Sequence, residues 1–343
     1  MVRPLVELTV GGRGCTVLSY DSPGAILDGA SLIVADSNSA ALLRIDGGRG
    51  LVLEPGERSK RWEVLGSILQ KAAELGLRRD STILGLGGGV VCDLAALASA
   101  LYMRGCRLVL VPTSLVAMAD AAVGGKSAVD MAGLRNLVGT VYVADEVRIH
   151  TPFLGSLPER EYRAGLAEVV RTALIAAPKV EDLLRRSRDA YLARDSALLE
   201  ETVRRCVAAK AGLVERDPYD RGARQSLNLG HSFAHGLEAV RTDILHGEAV
   251  AWGMGRAVDL GLELGLTDAE FAESTRALLA DYGFEQSYSG VDPAAVLAAM
   301  RLDKKAVNAG MRLVIPRGAC SVCYEAVDEA QVLGALRRGL TEL

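Results

Sequence analysis

Aromatic residues are scarce, at 4% of 343 residues, so the interior must be built from Leu, Val, Ala and Ile. The chain is 50% hydrophobic and 24% charged, a globular proportion with ample material for a core. A basic excess is missing: the net charge is -4, which argues against a surface that tracks nucleic-acid phosphates. Long apolar runs are missing too. The nearest approach to one, "LGLGGGVVCDLAALASALYM", carries Asp93 and three consecutive glycines and reads as a buried strand–turn–helix, not a membrane span. The opening "MVRPLVELTV" has no signal-peptide apolar core, so the expected compartment is the cytoplasm. Six scattered cysteines (Cys15, Cys92, Cys106, Cys206, Cys320 and Cys323) make no disulfide scaffold. Cys320 and Cys323 form one CxxC; a zinc site of that kind normally needs a second pair, and the strand-like flanks suggest coincidence. Histidine is the scarcest of the groups with chemistry to offer. There are four, and three of them, His231, His235 and His246, fall within "LNLGHSFAHGLEAVRTDILHGEAV"; the fourth is His150.

The first half alternates short β-type runs with helical stretches. "SLIVAD" (31–36), "GLVLE" (50–54), "STILGLG" (81–87) and "RLVLVP" (107–112) read as buried strands, with helices over 58–76 and 90–103. This is the signature of βαβ units and a parallel sheet. A further strand-like stretch covers 140–149. Beyond about 155, amphipathic stretches dominate: 158–176, 180–216, 225–240, 246–265 and 268–283. Residues 310–327 alternate like a small hairpin. A boundary near 150 gives two domains, 1–152 (α/β) and 153–343 (mostly helical).

Several motifs carry chemistry. "GLGGGVVCDLA" places three glycines between a strand and a helix, where backbone N–H groups suit a phosphate; it is not GxGxxG, and a tight structural turn is an equal reading. In 111–139, Asp120, Lys126, Arg135 and Asn136 sit among small residues, with Gly124 and Gly125 before the lysine; an ammonium beside open backbone suits an anionic or hydroxylated ligand. In "EYRAGLAEVVRTALI", Glu168 and Arg171 lie three apart on a helix face lined by small neighbours; an exposed ion pair is the plain alternative. Lys210 falls on an apolar helical stripe, as a snorkelling side chain or as a site residue. His231 and His235 are i,i+4 on one face, and "LHGE" adds His246 and Glu248. Three histidines with a carboxylate such as Glu168 make an N/O set suited to zinc. Spacing alone does not say which of the three histidines is not a ligand. The lysine pair Lys304 and Lys305 beside Asp303 reads by itself as a solvated face.

Taken together, "GERSK", "LGLGGGVVCDLA", "YMRG", "VPTSL", "VGGKSAVD", "AGLAEVV", "NLGHSFAHGLE", "LHGEAV" and "DKK" resemble the 3-dehydroquinate synthase family, within the wider sugar phosphate cyclases. The blocks run in the family's order over about 55–305. The resemblance implies an α/β N-terminal NAD-binding domain with a parallel sheet, a mostly α-helical C-terminal metal-binding domain, an active site in the cleft and a homodimer. It implies conversion of 3-deoxy-D-arabino-heptulosonate 7-phosphate to 3-dehydroquinate, a step of the shikimate pathway. In that reaction NAD oxidises a hydroxyl, phosphate is eliminated, the hydride returns, and ring opening and an aldol step close the carbocycle. It implies Glu168, His231 and His246 as ligands of Zn2+ (Co2+ possible), with His235 in the site but off the metal. Lys126, Lys210, Arg224 and Asn228 match positions that bind the substrate's hydroxyls and carboxylate. Asn136, Lys304 or Lys305, and Arg104 match the phosphate pocket, Arg104 reaching in from the other subunit. Asp36, Asn38, Glu57, Lys60, Gly88, Gly89, Val90, Asp93, Thr113, Ser114, Asp120, Lys126, Arg135, Phe153, Ser156, Leu157 and Glu161 match nucleotide-contacting positions.

The sequence departs from that pattern. Arg171 stands where a lysine is usual, replacing a compact ammonium with a planar fork at the substrate site. Arg135 also replaces a common lysine, and Ser114 and Ser127 replace threonines. The Arg171 change leaves room for another cyclase, forming aminodehydroquinate or a cyclitol. Arg224 with Asn228 favours a carboxylated substrate. A polyol-phosphate dehydrogenase on a related fold would share the glycines, metal and NAD but release NADH stoichiometrically. A non-catalytic metal-binding protein would need neither Lys210 on an apolar stripe nor the glycine turn.

Overall fold

The computed structural model describes residues 1–45, 47–303 and 311–341; Lys304 and Lys305 lie outside the described residues. The elements begin with β1 (Val2–Val10), β2 (Arg13–Tyr20), β3 (Leu32–Asp36), α1 (Ser37–Leu43), β4 (Gly50–Leu53) and α2 (Trp62–Glu74). They continue with β5 (Thr82–Gly87), α3 (Gly89–Leu101), β6 (Arg107–Pro112), β7 (Lys126–Met131), β8 (Leu134–Val141) and β9 (Glu146–Ile149). Helices α4 (Glu159–Ala176), α5 (Pro178–Arg186), α6 (Arg188–Leu192), α7 (Ser196–Arg216), α8 (His231–Val240), α9 (His246–Glu263) and α10 (Ala269–Asp281) follow. The chain ends with β10 (Tyr288–Ser289), α11 (Pro293–Asp303), β11 (Met311–Gly318), β12 (Ser321–Val327), α12 (Glu329–Gly339) and β13 (Leu340–Thr341). Two compact units result: Met1–Pro158 with Ser196–Asp220, and Glu159–Asp195 with Arg221–Leu343.

The first unit is a seven-stranded sheet in the order β1-β2-β9-β6-β5-β3-β4. Six strands are parallel, and β1 closes one edge antiparallel to β2. The four apolar runs read from sequence are β3 to β6. In β3, β5 and β6 the continuous hydrophobicity has a physical cause, since Leu32 to Ala35, all of β5 and most of β6 are buried, as strands covered on both faces must be; β4, read as buried, is the sheet edge and exposes Val52. Helix α3 lies close against β5 because Gly85 and Gly87 carry no side chain; a Cβ there would stand 2.7 Å from Ala95 Cβ and 2.6 Å from Val91 Cγ2. Helix α7 packs on β1, held by Arg3–Glu200 at 2.7 Å and by the Thr9 amide donating to Glu215 at 2.9 Å. The order of the strands reverses at β3, which has β4 on one side and β5 on the other, so ligands are expected beyond the carboxyl ends there.

Some elements differ from the sequence pattern. The 180–216 stretch divides into α5, α6 and α7, because Ser187 leaves helical geometry (φ -126°, ψ 30°) between α5 and α6 and Arg194 takes a left-handed φ of 59° between α6 and α7. The 140–149 stretch is the end of β8 and all of β9, with non-strand residues between. Residues 126–141 form a hairpin whose turn, Ala132–Gly133, has positive φ at both positions (54° and 77°), the type I′ geometry. Alanine is an unusual choice at the first of them, so the sequence carried no hairpin signal.

In the second unit, α4 is buried almost all round, from Tyr162 to Ile175, as a helix enclosed by others must be. Helix α9 crosses α4 and α8 at glycines. A Cβ on Gly247 would stand 1.9 Å from the Ala164 carbonyl oxygen of α4. On Gly253 it would stand 2.1 Å from the carbonyl oxygen of Gly230, which caps α8. Gly253→Ala should therefore destabilise the protein by roughly 1–3 kcal/mol or more, since backbone cannot give way as a side chain does. Denaturant unfolding would measure it, and a wild-type midpoint would show that the helices do not meet so closely.

Candidate active site

Helix packing brings together side chains that lie up to 78 positions apart, from Glu168 to His246. Glu168 comes from the middle of α4, while His231 and His246 are the first residues of α8 and α9. Gly230 at φ 81° makes the turn into α8. The start of α9 is pinned by Glu248, which accepts from the Leu245 amide at 3.0 Å and is gripped by Arg160 at 2.7 and 2.6 Å. Glu168 Oε1 stands 3.6 Å from His231 Nε2 and 3.3 Å from His246 Nε2, and the three donor atoms lie within 4.8 Å of one another. Donors around a tetrahedral zinc at about 2.0–2.1 Å sit about 3.3 Å apart, so this set fits such an ion. Among the described residues it is the one cluster of His, Cys, Asp or Glu so placed. The His235 ring lies beside it, its centroid 5.7 Å from that of His231 and 6.3 Å from that of His246. Cys320 and Cys323 lie apart from it, at the turn and in the second strand of the β11–β12 hairpin.

The tautomers follow from the partners. His231 Nδ1 faces the Leu229 carbonyl at 3.3 Å, an acceptor, so Nδ1 carries hydrogen and Nε2 presents its lone pair. His246 Nδ1 faces both oxygens of Glu238, at 3.3 and 3.4 Å, with Nε2 again turned to Glu168. Burial pushes the His231 imidazolium down, and the Arg171 charge adds to that against the pull of Glu168, to about 3. Burial also works against charged His246, but the hydrogen bonds it donates to Glu168 and Glu238 outweigh it and carry its pKa up to about 10. Glu238 gave no signal as a motif, although His231, His235 and Glu238 form an i, i+4, i+7 stripe on α8 that could have marked it.

Arg171 is buried, 1% exposed, with Nη1 2.8 Å from Glu168 Oε2 and 3.5 Å from His231 Nε2. The exposed-pair alternative for Glu168 and Arg171 therefore fails: both are enclosed. Arg224 is 2% exposed and Asn228 half-buried, on the turn of 3-10 helix Ala223–Asn228 that packs against α4.

In the first unit, the nucleotide candidates follow the carboxyl ends of strands. Asp36 ends β3 and caps α1, accepting from the Ser39 amide at 2.8 Å; Asn38 is exposed in that helix. Glu57 and Lys60 follow β4; buried Lys60 pairs with Asp93 of α3 at 2.5 Å, and these carboxylates hold the ammonium charged despite burial. Gly88, Gly89 and Val90 follow β5, where a Cβ on Gly88 or Gly89 would meet only Ser114 and Ala121 at ordinary distances. Packing thus requires Gly87 but not Gly88 or Gly89. Thr113 and Ser114 follow β6, and Asp120 lies in a single π-turn, Ala117–Ala121. Lys210 of α7 donates to the Asp120 carbonyl and carboxylate, each at 2.7 Å; it is 6% exposed, a held cation and not a snorkelling one. Phe153 is buried, Leu157 half-buried and Ser156 exposed after β9, and Glu161 is exposed in the first turn of α4. Lys126 pairs with Asp220, a partner without a sequence signal. Arg135 and Asn136 are exposed on β8, where the Asn136 amide donates to Asp130 at 2.7 Å. Arg104 is exposed on a turn at φ 63°.

Two family models match the chain: 3-dehydroquinate synthase N-terminal over residues 50–164, and 3-dehydroquinate synthase C-terminal over 165–306. A 3-dehydroquinate synthase of Xanthomonas oryzae pv. oryzae is 44% identical over 295 residues, which cover 83% of this chain and 80% of that one. A 2-deoxy-scyllo-inosose synthase complexed with carbaglucose-6-phosphate, NAD+ and Co2+ superposes with a TM-score of 0.86 at 22% identity, over 98% of this chain and 99% of that one. ValA, a 2-epi-5-epi-valiolone synthase from Streptomyces hygroscopicus with NAD+ and Zn2+ bound, gives 0.85 at 24%, over 94% and 95%.

A cation at Glu168, His231 and His246 must displace the His246 proton, whose folded pKa is raised, so the proton is bound throughout pH 6–8. Co2+ affinity should therefore fall by about tenfold for each unit that pH drops across that window, with about one proton released per ion. Calorimetry in buffers of different ionisation enthalpy would test it; an affinity flat with pH would contradict the assignment.

Proposed function

This chain belongs to the 3-dehydroquinate synthase family, and from that premise we propose that it converts 3-deoxy-D-arabino-heptulosonate 7-phosphate to 3-dehydroquinate with release of phosphate. The observation that carries the reading is the match of both family halves over residues 50–306, a span that holds the Glu168, His231 and His246 cluster. When bound, NAD would take up and return a hydride, and a divalent cation on those three residues would act as a Lewis acid on the hydroxyl being oxidised.

The protein's own groups bind and orient. Arg224 is assigned to the substrate carboxylate, because a buried guanidinium offers two parallel N–H donors to it. Asn228, four residues on, is assigned to a neighbouring hydroxyl. Lys210, fixed by Asp120, and Lys126, beside Asp220, are assigned to further hydroxyls; their carboxylate partners set where each ammonium points. Asn136 and Arg104 remain the candidates for the phosphate. The backbone at Gly88 and Gly89 opens α3 to the nucleotide's phosphates, since nothing in the protein needs that space. Arg171 holds Glu168 through Oε2, leaving Oε1 toward the two histidines. The assembly is assigned as a homodimer, for which a sedimentation mass of twice the chain mass is expected; the chain mass alone would refute it.

The defining experiment follows phosphate release from the heptulosonate phosphate, with Co2+ or Zn2+ and a trace of NAD, together with NADH absorbance. Many phosphates per NAD with no lasting NADH are expected. NADH rising in step with substrate would mean a plain dehydrogenase. No phosphate would overturn the substrate assignment and point, through Arg171, to amino or neutral sugar phosphates. Arg224→Ala should weaken the carboxylated substrate by at least 1.5–3 kcal/mol, the loss of a hydrogen bond to a charged group, and a neutral analogue much less. Equal losses on both would remove Arg224 from the carboxylate.

A further inference from the structure

One buried carboxylate beside the cluster has no part in the roles above. We propose that Glu238 is a positioning residue for His246, orienting its ring and fixing its tautomer so that Nε2 faces a bound divalent cation. The proposal rests on the reading of Glu168, His231 and His246 as metal ligands.

Glu238 is 4% exposed, and it lies in the last turn of α8. Both features disfavour a carboxylate: burial strips its water, and the carbonyl end of a helix repels negative charge. Its oxygens straddle His246 Nδ1 almost evenly, at 3.3 and 3.4 Å. A carboxylate accepts, so Nδ1 must donate, and the proton that a cation displaces is the one on Nε2, whose lone pair then faces the ion. The contact also spans two elements, from the last turn of α8 to the first residue of α9, and so sets the position of the ring as well as its protonation.

The pattern extends to the other ligands. Glu168 has Arg171 on Oε2, His231 has the Leu229 carbonyl on Nδ1, and His246 has Glu238. Each histidine thus has an outer partner on Nδ1, the nitrogen turned away from the cluster, while Arg171 holds Glu168 and also stands 3.5 Å from His231 Nε2. Such partners tune metal affinity by about 10- to 100-fold where they have been removed. Of the two acceptors, the Glu238 carboxylate is stronger than the Leu229 carbonyl. It makes the imidazole more electron-rich and holds it against rotation.

The test uses the full chain, stripped of metal by chelation, then titrated with Co2+ by calorimetry and followed by the visible Co2+ absorption. Wild type, Glu238→Gln, Glu238→Ala and His231→Ala are compared, with unfolding of each metal-free protein measured alongside. Glu238→Gln can still accept from Nδ1 but has no charge, and should lose about tenfold in affinity. Glu238→Ala should lose up to about 100-fold and shift the Co2+ bands, as the ring turns. Both metal-free variants should lose some stability, because protonated His246 then keeps only one of its two carboxylates. Tight wild-type binding with unchanged affinity and bands in both variants would overturn the proposal while sparing the metal reading. Unchanged Co2+ bands, with an affinity equal to wild type once each variant's lost stability is allowed for, would make Glu238 merely structural and also overturn it. Wild type binding no more tightly than His231→Ala would remove the metal reading, and this inference with it. Should Glu238→Ala fail to fold, the near-isosteric glutamine variant decides.

Discussion

The cluster depends on how closely α9 approaches α4 and α8. At Gly247 and Gly253 the neighbouring atoms are backbone carbonyl oxygens, 1.9 and 2.1 Å from where a Cβ would be, and backbone cannot swing aside. This approach puts the first residue of α9 beside the middle of α4. A Cβ at Gly247 would have to move off the Ala164 oxygen by more than an ångström, and His246 beside it would move with the start of α9. The Arg160–Glu248 pair and the Leu245 amide then hold the start of α9. The geometry of three donors is therefore set by two missing side chains.

Buried charge is the second constraint. Glu168 and Arg171 are each 1% exposed, in the middle of a helix that otherwise buries apolar residues. Replacing such a pair by apolar residues is often neutral or stabilising, so its presence in the core is better explained by function than by stability. The carboxylate needs a compensating cation on one side so that its other oxygen can serve a ligand. Without metal, a protonated His246 between two carboxylates supplies part of that compensation. Charges held at fixed positions in this way need little reorganisation when a reacting group arrives.

Much of the architecture was legible because its causes are local. Strands β3, β5 and β6 are continuous apolar runs, since strands covered on both faces require them, and the helical stretches carried their period openly. The antiparallel β1 edge and the β7–β8 hairpin were not read. The hairpin turn uses Ala132 at positive φ in place of the expected Asn or Asp, so the local code was silent. In the site, scarcity made the histidines visible and small neighbours marked Glu168. Glu238 and Asp220 escaped because an acidic residue in a helix or loop looks solvent-exposed until the partner is known. Their partners lie 8 and 94 positions away, and only the fold makes those pairs; Glu248, which the sequence did single out, turns to Arg160 and the Leu245 amide and not to the cluster.

The glycine turn shows how structure divides a motif that sequence presents as one. In "GLGGG", Gly85 and Gly87 are demanded by α3, whose Ala95 and Val91 occupy the space a side chain would take. Gly88 and Gly89 are not: a methyl group on either would meet ordinary contacts. They follow β5, next to β3, where the strand order reverses. If packing were the only pressure, alanine would be the better residue there, since it costs less backbone entropy on folding. Two glycines retained at such a place, at the start of a 13-residue helix, leave close approach by something outside the protein as their remaining physical reason.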